Sequence, residues 1–151
     1  SRMEVDINGW TIADDGGQEH VIDNGDPLEV QAWGFLVLGK TTNTATNGNV
    51  SVDYAYGSSF GLVNSDDEIV LINASSQEMA RVNYDGGPLF PDPTGASMYL
   101  TDPNLDQNTG ANWAESTIAW PGSPGDLGSP GAPNEQGDWS PIIPGGVFII
   151  R

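Results

Sequence analysis

A chain of 151 residues with 21 Asp plus Glu against four Lys plus Arg carries a formal net charge of −17. That balance excludes the basic face by which proteins displace counterions from nucleic acid or settle on anionic membranes. With no cysteine there are no disulfides, zinc–thiolate sites or thiol nucleophiles, and twenty Gly with eleven Pro exclude a helical protein in favour of an all-β, turn-rich one.

Met3–Ile12 opens the order of predicted elements. It is apolar at Val5 and Ile7, then at Trp10 and Ile12, so the parity switches across Asn8-Gly9. A strand that keeps its apolar side inward through such a switch needs one extra residue, and a bulge is expected there. A turn at Asp14–Gly17 leads to a short strand at His20–Ile22, and Asp23–Pro27 forms the next turn. Val30–Leu38 is apolar on both faces, with Trp33, Phe35 and Val37 opposing Leu36 and Leu38, which places it in the middle of a sheet.

Lys40–Asn49 reads as a surface loop and Val50–Tyr56 as an edge strand. Phe60–Tyr84 is the clearest unit. Ile69–Ile72 and Met79–Tyr84 are two strands joined by a polar turn at Asn73–Gln77, and the second alternates Ala80, Val82 and Tyr84 against Met79, Arg81 and Asn83. Asp85–Thr94 holds too much Gly and Pro for a central strand. Ala96–Leu100 is a further strand, Asp102–Trp113 a polar loop and Ala114–Ala119 a short last element. Between Pro121 and Gly146, Gly and Pro fill thirteen of twenty-six positions, which is linker composition, before the chain turns apolar again at Val147–Ile150.

About eight short strands, with a turn roughly every ten residues, define an antiparallel β-sandwich or barrel. Five Trp with four Tyr and four Phe supply the buried area that a Leu-poor chain needs. The expected organisation is a sandwich over 1–120, a Gly/Pro-rich linker or wrapped extension over 121–146, and a C-terminal strand over 147–151. No apolar run approaches the length of a membrane span. The opening Ser1-Arg2-Met3-Glu4 is not a signal peptide, so either a leader has been removed or the chain is cut from a longer one.

Candidate chemistry is sparse. His20 is the one histidine, with no nucleophile motif nearby. Asp14/Asp15 and Asp66/Asp67/Glu68 sit in turns, where paired acids cap and solvate rather than form a glycosidase pair. Asp102, Asn104 and Asp106 place oxygens at every second position, as the first half of an EF-hand does, and make this loop the candidate Ca²⁺ site. Gln107 stands where that motif wants Gly and Trp113 where it wants Glu, so turn capping is the preferred account of the same residues. Asn49-Val50-Ser51 and Asn73-Ala74-Ser75 match the glycosylation sequon. Phe90, Tyr99, Trp120 and Trp139 are either a sugar platform or aromatics packed over the sandwich ends, the second being preferred.

Asp6–Asp15, with Gly9-Trp10 at its centre, resembles the Gly-Trp strand and acidic turn of the lamin tail domain in its bacterial, secreted form. Gly34–Gly39, Phe60–Leu62 with Asn64–Leu71, Ala96–Leu100, Asn112–Ala114 and Ser129–Asn134 follow in that family's order. The resemblance spans roughly Val5 to Asn134 and implies an immunoglobulin-like antiparallel sandwich. One departure is that the family's opening strands have no counterpart before the Gly-Trp segment. The implied function is that of a non-enzymatic extracellular or cell-surface module, prokaryotic, that associates with protein, chiefly copies of itself. The alternative is an accessory domain of a larger secreted nuclease or phosphatase. Val147, Phe148, Ile149 and Ile150 are the expected interface, an apolar β-branched segment able to complete the sandwich within its own domain or in the next molecule, where it would build a filament.

Overall fold

The computed structural model describes residues 4–32, 34–134 and, as backbone, 146–150. Their strands are β1 (Val5–Asp6), β2 (Thr11–Ala13), β3 (Glu19–Val21), β4 (Glu29–Val30), β5 (Phe35–Gly39), β6 (Tyr54–Ala55), β7 (Asp67–Ile72), β8 (Glu78–Tyr84), β9 (Met98–Leu100), β10 (Trp113–Glu115) and β11 (Gly146–Ile150). Among the described residues the only helical element is a 3-10 turn at Gly110–Asn112. The fold is all-β and sandwich-like.

One sheet is antiparallel, in the order β3-β2-β7-β8, and a second runs β11-β5-β6; β1 pairs with β4, and β9 with β10. Ile12 and Leu71 of the first sheet meet Leu36 and Leu38 of the second in one core, with Ile7, Ile22, Val30, Tyr56 and Phe60 between them. Fully burying an aliphatic or aromatic side chain stabilises the fold by roughly 1.5–3 kcal/mol, so these nine residues dominate what holds the layers together.

The β7–β8 hairpin forms as its alternation predicts. Asn73 closes the turn, its Oδ1 accepting the N–H of Ser75 at 3.0 Å and of Gln77 at 2.9 Å. Tyr84 is buried while Met79 is 49% exposed, so β8 has one wet face.

Several expected boundaries move. Val30–Leu38 is two strands, because Gly34 N–H turns back to the Gln31 carbonyl between β4 and β5. Val50–Tyr56 contributes only β6, and the last element is confined to β10. The pairing is not antiparallel throughout, since β5 runs parallel to both β6 and β11.

The Gly/Pro-rich stretch is fastened through Asn134. Leu127 bridges to Ala96, and Trp120 Nε1–H donates to the Gly48 carbonyl at 3.1 Å. Asn134 is buried and donates to the Leu100 carbonyl. Residues 121–134 therefore belong to the sandwich, held mostly by backbone hydrogen bonds that linker-like composition does not encode.

Candidate functional site

The loop proposed for Ca²⁺ spends its oxygens on itself. Asp102 Oδ1 accepts both the N–H and the side-chain amide of Asn104 at 2.9 Å. Asp106 accepts the Asn108 N–H at 2.9 Å and the Thr109 hydroxyl at 3.2 Å. Asp102 and Asp106 thus each build an Asx turn, with Asn104 a donor to the first, and among the described residues no three His, Cys, Asp or Glu stand close enough to hold a metal ion.

The sugar platform does not assemble. Phe90 and Tyr99 are buried, and Phe90 packs against Trp113 with ring centroids 6.2 Å apart. Trp120 is tied to Gly48, and Trp139 lies outside the described residues. Both sequon amides are engaged, Asn49 with the Gly122 carbonyl and Asn73 with Gln77 and Met79. A shallow depression of about 100 Å³ lies between Gly39–Thr41 and Thr46–Val52, too small for an organic substrate.

His20 is hydrogen-bonded at both ring nitrogens, and neither partner was evident from sequence. Its Nδ1 lies 2.5 Å from Ser59 Oγ and its Nε2 2.7 Å from Tyr54 Oη. The surrounding bonds give this chain a direction. Ser59 O–H donates to the Tyr56 carbonyl at 2.8 Å, so Ser59 accepts from Nδ1–H. Nε2 is then bare and accepts the Tyr54 O–H, while Tyr54 Oη accepts the Asp23 N–H at 3.1 Å. A serine activated for attack would give its proton to the imidazole; here the imidazole donates to the serine. Burial lowers the His20 pKa from the ordinary value, in keeping with a neutral ring.

The second feature is the side of β5 that faces away from β6. Val37 exchanges hydrogen bonds with Asp53 on the β6 side, its N–H to Oδ2 at 2.7 Å and its carbonyl from the Asp53 N–H at 2.9 Å. Backbone groups alternate along a strand, so those of Leu36 and Leu38 face the opposite edge. Both residues are almost wholly buried, at 3% and 0% exposed. β11 lies along that edge in parallel, with Val147 opposite Leu36, Phe148 opposite Val37, Ile149 opposite Leu38 and Ile150 opposite Gly39. The wrapped extension covers the other face of β5, where a β-carbon on Gly131 would sit 3.5 Å from Val37 Cγ2.

Comparison with known proteins finds no family model, curated protein or solved structure that matches this chain.

Proposed function

We propose that this chain is a non-enzymatic β-sandwich module of the lamin-tail type, working outside the cell or at its surface, whose task is to associate with other protein chains by strand complementation, copies of itself foremost. The observation that carries the reading is the β5 edge. The backbone groups of two buried leucines, Leu36 and Leu38, face a strand supplied by residues 146–150. A buried backbone donor or acceptor left without a partner costs about 1–3 kcal/mol, so that edge requires a strand. The same strand entering a neighbouring copy repeats one contact head to tail, and such symmetry builds a filament or layer.

Two further features support the reading. The proton arrangement around His20 opposes a catalytic serine. The charge of −17 suits a module working in salt, where screening permits like-charged copies to approach.

The test removes Val147–Arg151 and compares sedimentation and electron microscopy with the full chain across salt concentrations. The full chain is expected to form polymers that rise with salt, and the truncated chain to form none and to melt at lower temperature. A full chain that stays monomeric throughout, or a truncation that changes neither assembly nor melting, overturns the proposal.

A further inference from the structure

We propose that His20 is a pH-operated latch between the two sheets of the sandwich, closed while its ring is neutral and opened when Nε2 takes up a proton. The placement makes it a latch. β3, which carries His20, is an outer strand of the four-stranded sheet, and β6, which carries Tyr54, is an outer strand of the other sheet. The hydrogen bond from Tyr54 to His20 therefore joins two sheet edges that share no backbone ladder.

In the closed state every donor has one acceptor: Asp23 N–H to Tyr54, Tyr54 to Nε2, Nδ1–H to Ser59, Ser59 to the Tyr56 carbonyl. Protonation makes Nε2 a second donor facing a phenol that already donates to it. Tyr54 must swing its O–H away from Nε2, so the phenol proton loses its acceptor while the phenol oxygen has to take both Nε2–H and the Asp23 N–H.

Among the described residues no carboxylate is bonded to the ring to meet the new charge. Both nitrogens are taken by hydroxyls, although the chain holds 21 carboxylic side chains. Among the described residues, the titratable rings packed on the imidazole are the phenol of Tyr54 from β6 and that of Tyr56 just beyond it, with ring centroids at 5.6 and 6.5 Å. β2 sets Ile12 opposite His20 in the ladder, and Asp23 offers its amide. Burial of the ring works in the same direction, favouring the neutral form.

The latch reaches further because β6 pairs with β5 through Leu38 and Tyr54, and β5 receives β11 on its other side. Mild acid should therefore ease exchange of β11 between chains; that consequence rests on the association reading, whereas the latch does not.

His20 is the only histidine, so its imidazole resonances are unambiguous in the full chain. Nuclear magnetic resonance between pH 8 and 5.5, a range above ordinary carboxylate titration, follows the ring together with amide exchange. We expect an Nδ1–H tautomer at neutral pH and titration below the ordinary histidine value. Through that titration, protection of β3 and β6 amides should fall by about tenfold while β7 and β8 hold. Tyr54→Phe should raise the titration point, and His20→Gln should abolish the pH dependence of protection. Titration at or above the ordinary value overturns the latch, as does unchanged protection or an equal loss in His20→Gln. Mixing differently labelled chains at pH 5.5 and 7.5 reads the other matter separately. No exchange at either pH removes the association reading and leaves the latch standing.

Discussion

Ile7 and Ile12 are both buried in the central core, although an unbroken strand would point residues of odd and even number to opposite faces. The chain achieves this by leaving one ladder and joining another. β1 pairs with β4, the Trp10 N–H folds back to the Ile7 carbonyl at 3.0 Å, and β2 then pairs with β3 and β7. Gly9 makes the step at φ +80°, and the Gly9 N–H donates to the Ile22 carbonyl at 2.7 Å.

Gly9→Ala should therefore destabilise through the backbone alone. The nearest atom to an added β-carbon is Ala74 Cβ at 3.9 Å, which is ordinary contact. The left-handed conformation costs an L-residue roughly 1–2 kcal/mol, and Asn tolerates it better. Urea unfolding should rank glycine above asparagine above alanine at this position; an alanine variant as stable as the parent would remove the strain argument.

Phe60 is fully buried and meets Tyr56 edge-on at 5.6 Å. Phe60→Ala should cost about 3–5 kcal/mol. Leu89, at 72% exposed, serves as the control, with Leu89→Ala expected within about 0.5 kcal/mol of the parent. Equal losses at the two positions would contradict this assignment of the core.

Asp85 fastens the loop that carries buried Phe90. Its carboxylate accepts the Phe90 and Leu89 N–H groups, each at 3.0 Å, and the Phe90 bond is the leading cause that holds its pKa below the usual carboxylate range. A pKa depressed in the folded state contributes stability above the unfolded value, near 4, and that stability is lost as pH falls through the folded value. Melting temperatures between pH 5 and 2.5 should decline less steeply for Asp85→Asn than for the parent, after allowing for its lower starting point. Parallel curves would dismiss the linkage.

Duplex DNA should not bind at physiological salt. Of the four cationic side chains, Arg81 is already committed to Asp15 at 2.8 Å and Glu78 at 3.0 Å. An anisotropy titration giving a dissociation constant below about 1 µM, tighter than ordinary non-specific contact, would overturn the expectation.

Sequence made the local features legible and the distant ones not. The alternation of Ala80, Val82 and Tyr84 against Met79, Arg81 and Asn83 is a property of one strand, and the hairpin follows from it. The parity break at Asn8-Gly9 and the two-faced apolarity of Leu36–Leu38 were legible for the same reason, although the break is a turn between two ladders and not the expected bulge within one strand. What lay hidden was partnership. Nothing in the pattern around Tyr54 or Ser59 points to His20, because a side-chain hydrogen bond across 34 or 39 positions leaves no period. Composition likewise concealed the packing of 121–134, where Gly and Pro sit as bound surface rather than as a tether.

The parallel ladder of β5 and β11 also sets a timetable for folding. It joins Phe35 to Gly146, about 110 positions apart, whereas β7 and β8 meet across a turn of five residues, Asn73–Gln77. Closure entropy favours the near contact first and delays the far one. A refolding chain therefore holds its central hairpin while β5 still waits for its neighbour. During that interval the exposed edge can capture any extended apolar segment in solution. Protein concentration during refolding, more than final stability, should then decide how much of the chain is recovered.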